Sequence, residues 1–118
     1  MATHNDIGKQ GETLAKEYLC QQGYTILASN YRYRKAEIDI IAQKGGILAI
    51  VEVKTRTSKE FGAPESFVHK KKIKLILEAS NAYIDENDLN LDVSLDIISV
   101  VIGKETEIEH LVNAYYFF

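Results

Sequence analysis

Gly45-Gly46 lies between two β-rich runs, Ala36 to Gln43 and Ile47 to Thr55, and a diglycine in that setting is a strong hairpin signal. If the two glycines form the whole loop, Lys44 faces Ile47 and the pairing of every residue behind them is set. Counting back opposes Asp39 to Glu52 and Glu37 to Lys54. Directly opposed residues of an antiparallel pair project to one side, with Cβ atoms about 4.5–5.5 Å apart. Side chains alternate along a strand, so Glu37 shares a face with Asp39, and Glu52 with Lys54. Four ionisable groups therefore meet on a patch whose other positions are Ile, Val and Ala. The opposition depends on loop length, because a three-residue connection would shift the register.

Such a patch is poor for stability. Like charges directly opposed in a sheet are destabilising, and a carboxylate among apolar neighbours needs compensation. A hard divalent cation supplies it: Mg²⁺ favours one or two carboxylates together with waters and phosphate oxygens. Lys54 then stands where it can orient a water or offset charge on a phosphate. The plainer alternative is a cross-strand Glu37–Lys54 ion pair with two exposed acids on a wet face. The aligned register and the apolar surroundings favour the cation site.

The rest of the chain frames this hairpin. Ile7 to Gln22 has helical spacing, with Ile7, Gly11, Leu14, Ala15, Tyr18 and Leu19 on one stripe, Asp6 as N-cap and Gly23 as the left-handed stop. Gly8 and Gly11 each weaken a helix by about 1 kcal/mol relative to alanine, and a close approach of this helix to a sheet or ligand explains them. Glu12 borders the stripe and either points toward the sheet, with Gly8 letting that end come close, or faces solvent. A strand from Tyr24 to Tyr33 precedes the hairpin. Beyond the polar stretch Arg56 to Ala63, Ser66 opens a second helix through about Ile84, with Ile73, Ile76, Leu77 and Tyr83 for its buried face. Leu91 to Ile102 and Ile108 to Tyr116 are the last strands. The order α-β-β-β-α-β-β describes one α/β domain over residues 1–118, a mixed β-sheet flanked by helices.

With 118 residues and a single cysteine, Cys20, an ordinary core is expected and an internal disulfide is not. No run approaches the roughly 20 apolar residues of a membrane span, and the N-terminus lacks the features of a signal peptide, so a cytoplasmic protein with no membrane partner is expected. The net charge of −3 hides an asymmetry: residues 1–74 hold 13 of the 14 Lys and Arg and 8 of the 17 Asp and Glu. That balance of +5, against −8 for residues 75–118, suits a polyanion partner on one face or two ordinary solvated surfaces. Arg32, Arg34 and Lys35 interleave with Tyr31 and Tyr33, Arg56 follows Lys54, and Lys70, Lys71, Lys72 and Lys74 cluster on the second helix. Arg56 and part of the lysine cluster are read as phosphate contacts, and the two tyrosines as packing. His4, His69 and His110 lack ligand spacing; they read as surface or structural residues, with His69 a weaker candidate for phosphate. Asp96, inside an apolar strand, reads as a buried ion-pair partner. The Tyr115-Tyr116-Phe117-Phe118 ending either docks on the core or forms a dimer contact.

Gly11-Glu12, Glu37-Ile-Asp39-Ile-Ile and Val51-Glu52-Val-Lys54-Thr-Arg56 resemble the small, uncharacterised bacterial YraN-like family, which groups with the PD-(D/E)XK nucleases near the archaeal Holliday junction resolvases. The likeness continues through Gly62-Ala-Pro64, the lysine-rich helix, Leu95-Asp96-Ile97, Glu109-His110 and Asn113-Ala114. Ile38 stands where the superfamily's name has its proline. The resemblance implies a restriction-endonuclease-like fold, with Asp39 and Glu52 as ligands of Mg²⁺ or Mn²⁺, Lys54 as catalytic lysine and Glu12 supporting the metal. It implies hydrolysis of DNA more than of RNA, with branched DNA as substrate and a homodimer as active form. Single-stranded DNA is a further candidate substrate, and Arg32, Arg34, Arg56 and Lys70 to Lys72 are read from their type and placement as nucleic-acid contacts. The alternative reading is a nucleic-acid-binding module that keeps the fold without catalysis. A purely structural interaction protein is a third, and it leaves the opposed carboxylates unexplained.

Overall fold

The computed structural model describes residues 3–57 and 70–114. The first helix, α1 (His4–Gln21), starts earlier than the apolar stripe suggests, because Thr3 rather than Asp6 caps it. Thr3 Oγ1 accepts the Asp6 N–H at 3.2 Å and Asp6 Oδ2 accepts the Thr3 N–H at 3.3 Å, a reciprocal capping box. Gly23 follows the helix with φ 94°, the left-handed stop expected of it.

Three antiparallel strands come next: β1 (Thr25–Tyr33), β2 (Ala36–Lys44) and β3 (Ile47–Arg56). The second helix, α2, is described over Lys70–Glu86, and Ser66, the expected cap, lies outside the described residues. After it, β4 (Asp92–Val101) pairs in parallel with β3, and β5 (Glu107–Leu111) returns antiparallel on β4. The result is a five-stranded mixed sheet in the order β1-β2-β3-β4-β5, an α/β fold with the expected element order. Among the described residues no helix is long and apolar enough to cross a membrane.

The helices cover opposite faces. Ala15 and Leu19 of α1 pack on Ile40, Ala42, Ala49, Val51, Ile98 and Val100. Ile76 and Ala79 of α2 pack on Ile38, Ile41, Leu48 and Ile50. Leu77, expected in the α2 core face, is 41% exposed; buried Ser80 lies on that face instead, its hydroxyl donating to the Ile76 carbonyl at 2.7 Å. α2 crosses the sheet from β3 toward β1, where Tyr83 meets Tyr31 edge to face at 5.2 Å, so Tyr31 is a packing residue.

The last strand is shorter than the apolar run that predicts it. Its chain turns at Asn113 (φ 52°), whose N–H donates to Asp96 Oδ1 at 3.1 Å, and the Ala114 N–H then reaches the Leu95 carbonyl at 2.8 Å. Fully buried Asp96 also accepts from Ser94 Oγ at 2.5 Å and meets His110 Nε2 at 2.8 Å, a buried polar contact that becomes the expected ion pair when the imidazole is protonated. The Tyr115–Phe118 ending and His69 lie outside the described residues.

One irregularity positions the site. Along β2, Ala36 and Ile38 join the α2-side core while Ile40 and Ala42 join the α1-side core. Regular alternation would put Ile38 and Ile40 on one face, so the pleat slips at Asp39. The neighbouring strand slips with it: the pairs Ser29–Ile40 and Tyr31–Ile38 bracket Asn30, which has φ 53°. Asparagine is among the few side chains that adopt this conformation readily.

The two early glycines of α1 differ. A Cβ on Gly11 would stand 1.9 Å from Thr55 Oγ1 and 2.8 Å from Thr55 Cβ, so the close approach to the sheet is made here; a Cβ on Gly8 would meet nothing within 4 Å. Gly11→Ala is expected to destabilise the fold by roughly 1–3 kcal/mol through overpacking. Gly8→Ala should stabilise it by up to about 1 kcal/mol through helix propensity. Urea unfolding of both variants checks this; equal effects would show that the Thr55 contact is not limiting.

Candidate active site

The β2–β3 ladder runs from Lys44–Ile47 to Ile40–Val51 and stops there. This is the register that the diglycine predicts, and Asp39 and Glu52 are its first unpaired step. β3 is not frayed, since its parallel pairing with β4 continues to Arg56–Val101. What ends the antiparallel ladder is a side chain: the Val53 N–H donates to Asp39 Oδ2 at 2.8 Å. A carboxylate takes the place of a backbone acceptor, and the strands part around it without orphaning the amide.

Asp39 consequently borders both faces of the sheet. On the α1 face it shares a groove with Ile7, Gly8, Glu12, Val53 and Thr55. On the α2 face it shares a small cavity with Ile50, Glu52 and Ile76. Glu12 thus points toward the sheet, the first of its two readings. The Asn30 amide nitrogen, in the orientation that satisfies its neighbours, donates to Glu12 Oε1 at 3.1 Å and Glu37 Oε1 at 3.2 Å. Gly8 leaves the groove open beside Glu12 instead of bringing the helix close.

Glu37 does not stand opposite Lys54 as the hairpin register implies, and the ion pair of the plainer alternative is replaced by others. The slip at Asp39 turns Glu37 to the α1 side, where Glu37 Oε2 meets Arg32 Nη2 at 3.3 Å. Glu52 and Lys54 stay on the α2 side, two residues apart on β3, with Lys54 Nζ 3.2 Å from Glu52 Oε1. Lys72 reaches the same oxygen from the first turn of α2.

Asp39 and Glu52 thus face opposite electrostatic surroundings. Burial pushes the Asp39 carboxyl up to about 6; the Val53 N–H resists this, and the charges of Glu52, Glu12 and Glu37 reinforce it. Burial also acts upward on Glu52, but the Lys72 hydrogen bond and the charges of Lys54 and Lys72 outweigh it and hold Glu52 below the ordinary glutamate value.

Among the described residues no three His, Cys, Asp or Glu side chains close on a single point. The donor chemistry is two carboxylates, Asp39 and Glu52, at a strand gap, while Glu12 meets Asp39 on the other face of the sheet. An all-oxygen set of this kind, with coordination left for water, fits Mg²⁺ or Mn²⁺ rather than zinc.

The basic residues surround this end of the sheet at different depths. Arg32 and Arg34 are exposed near the β1–β2 turn, Arg34 with φ 56° and its guanidinium 5.2 Å from the Tyr33 ring centroid. Lys70 and Lys71 are exposed at the start of α2, beside Lys72. Arg56 is half-buried, its Nη2 donating to Ser99 Oγ at 3.4 Å. His110 and Asp96 lie beside Tyr18, which stacks edge-on against His110 at 5.6 Å, and take no part in the site.

The sequence reading did not identify Asn30, the Val53 N–H or the Lys72–Glu52 contact. An asparagine interrupting a strand opposite Asp39 was a legible sign of the slip. Four clustered lysines carried no sign of which one turns inward.

The model of an uncharacterised protein family, UPF0102, matches residues 11–100. A UPF0102 protein of Flavobacterium psychrophilum is 54% identical over the full length of both chains. One from Christiangramia forsetii is 49% identical, again over both full lengths. A third, from Phocaeicola vulgatus, is 42% identical over 98% of this chain and 97% of its own.

Because Asp39 titrates near 6 when folded and near 3.8 when unfolded, the folded state binds more protons between those values. Stability should therefore fall as pH rises through that window and level off above it. Asp39→Asn lacks this decline while keeping an acceptor for Val53. The variant is expected to exceed wild type in stability by about 3 kcal/mol at pH 7, with the gap closing toward pH 4. Urea unfolding across that range checks it; a variant weaker than wild type at pH 7 would make the charge a structural asset.

Proposed function

The chain belongs to the uncharacterised protein family UPF0102, and we propose that its members' shared scaffold serves here as a metal-dependent endonuclease acting on DNA phosphodiester bonds. The observation that carries this reading is Asp39 at the strand gap beside Glu52, with Lys54 3.2 Å from Glu52 on the adjacent strand. Asp39 and Glu52 would hold Mg²⁺ or Mn²⁺, with Glu12 acting on Asp39 from the opposite, α1-facing side of the sheet. When bound, such an ion lowers the pKa of its water and polarises a phosphoryl oxygen.

The chain's own groups then have distinct tasks. Asp39 is anchored through Val53 N–H, so its second oxygen is held in a defined direction. Glu12 reaches the groove from α1, where the Gly11–Thr55 contact sets the helix height. Lys54 orients the attacking water and offsets charge that develops on the phosphate. Arg32, Arg34, Lys70 and Lys71, exposed around the same end, supply backbone contacts of the salt-sensitive kind. Branched DNA is the substrate that the likeness to resolvase-like nucleases suggests, and single-stranded DNA is a further candidate.

One observation favours a second reading. Glu52 is already neutralised by Lys54 and Lys72, as in a site that works without a cation. A nucleic-acid-binding module would use the same basic residues and no chemistry.

Cleavage of labelled four-way junctions, flaps and single strands with Mn²⁺ separates the two. Wild type is expected to cut at least one substrate, and Lys54→Ala to lose on the order of 10²–10³ in rate while remaining folded. Full activity in Lys54→Ala would remove the mechanism. Binding without cutting by both proteins would favour the module.

A further inference from the structure

We propose that Lys72 is a built-in counter-ion that occupies the cation's place at Glu52 and must withdraw when a divalent ion binds. The inference rests on the metal-dependent reading and adds a residue that regulates that site.

Two ammonium groups meet one carboxylate oxygen, Glu52 Oε1. They arrive from different elements: Lys54 from β3, two residues along the same strand, and Lys72 from the first turn of α2. The Glu52 side chain is only 14% exposed, so few positions beside it admit a charge. With both lysines in place Glu52 is already more than compensated, and a doubly charged ion shared between Glu52 and Asp39 would meet two ammonium groups at close range in a site that screens poorly. One lysine has to leave.

The geometry selects Lys72. Lys54 is carried by a central strand held on β4 by the Lys54–Ser99 register, and its side chain is 26% exposed. Lys72 is 39% exposed, with Lys70 and Lys71 exposed beside it at the start of the helix. Its long flexible stem can swing outward without moving the backbone. Once withdrawn it joins those two lysines on the surface where a polyanion would lie. Cation binding and presentation of a further phosphate contact thus become one event. In the absence of the ion, Lys72 keeps Glu52 compensated, which limits the destabilisation that an open pair of acids would bring.

The test is Mn²⁺ binding by the full chain, followed by calorimetry and by the electron paramagnetic resonance of the free ion, with circular dichroism to confirm folding. Lys72→Gln is expected to tighten Mn²⁺ by about tenfold, since a competing charge at hydrogen-bond range is removed. Lys72→Arg, which keeps the charge, should remain near wild type. Measurable and equal binding in wild type and Lys72→Gln overturns this proposal and leaves the metal site standing. Weaker binding in Lys72→Gln also overturns it, making Lys72 a support of the site. Absence of Mn²⁺ binding in all three proteins overturns the proposal together with the metal-dependent reading.

Discussion

A single substitution of acceptors, the Asp39 carboxylate for a backbone carbonyl at Val53 N–H, shapes this end of the molecule. An antiparallel ladder that lost its rung here would leave an amide without a partner, and that loss would oppose any opening of the strands. The carboxylate removes the objection. The β2–β3 pairing can end at Ile40–Val51 while β3 runs on against β4 to Arg56. The gap therefore forms inside the sheet and not at a frayed edge, with one wall fixed by ten parallel pairs. Side chains displayed from such a wall hold their directions better than those on a loop.

The gap sorts charge by face. The slip at Asp39 sends Glu37 to the α1 side, where Arg32 and Asn30 engage it, and leaves Glu52 and Lys54 toward α2. Asp39, between the faces, is held high, near 6, first by burial and then by the three acids around it. Glu52 feels two lysines and is held low. Two carboxylates kept apart in this way can differ in protonation near neutral pH, a pattern that environments impose when acids have separate tasks. α2 supplies part of the sorting, since its basic end lies beside Glu52 and its acidic end reaches β1 through the Tyr31 hydroxyl and Glu86, 3.2 Å apart.

The parts of this architecture that rest on short-range rules were legible in the sequence. The diglycine set the β2–β3 register to the residue, because turn length and pairing are rigidly linked. Gly11 announced a close helix–sheet approach, though Gly8, equally conspicuous, serves no such contact. The Thr3 cap was missed because Asp6 stands nearer the apolar stripe, and Leu77 was misplaced because helical periodicity cannot say where a stripe's edge meets the sheet. The slip at Asn30 and Asp39 escaped because period-two reasoning assumes unbroken alternation, and one left-handed residue cancels that assumption for everything beyond it. Lys72 was out of reach for a different reason: its contact with Glu52 depends on how α2 crosses the sheet, a tertiary quantity.

The choice of aspartate at position 39 says most about purpose. Holding the Val53 N–H requires an acceptor, and an asparagine carbonyl would serve as well without a charge to bury. Folding alone would therefore favour asparagine, the more so with Glu12, Glu37 and Glu52 all acting on the same group. Natural proteins retain such destabilising groups where activity needs them. Glu52 could be explained by its lysines as an ordinary ion pair, and Lys54 by Glu52, but neither account extends to Asp39. A ligand that rewards negative charge at the strand gap would extend to it, whereas Glu12, across the α1-side groove, already has the Asn30 amide as a partner. The acid that organises the fold locally is thus also the one the fold has least reason to keep charged.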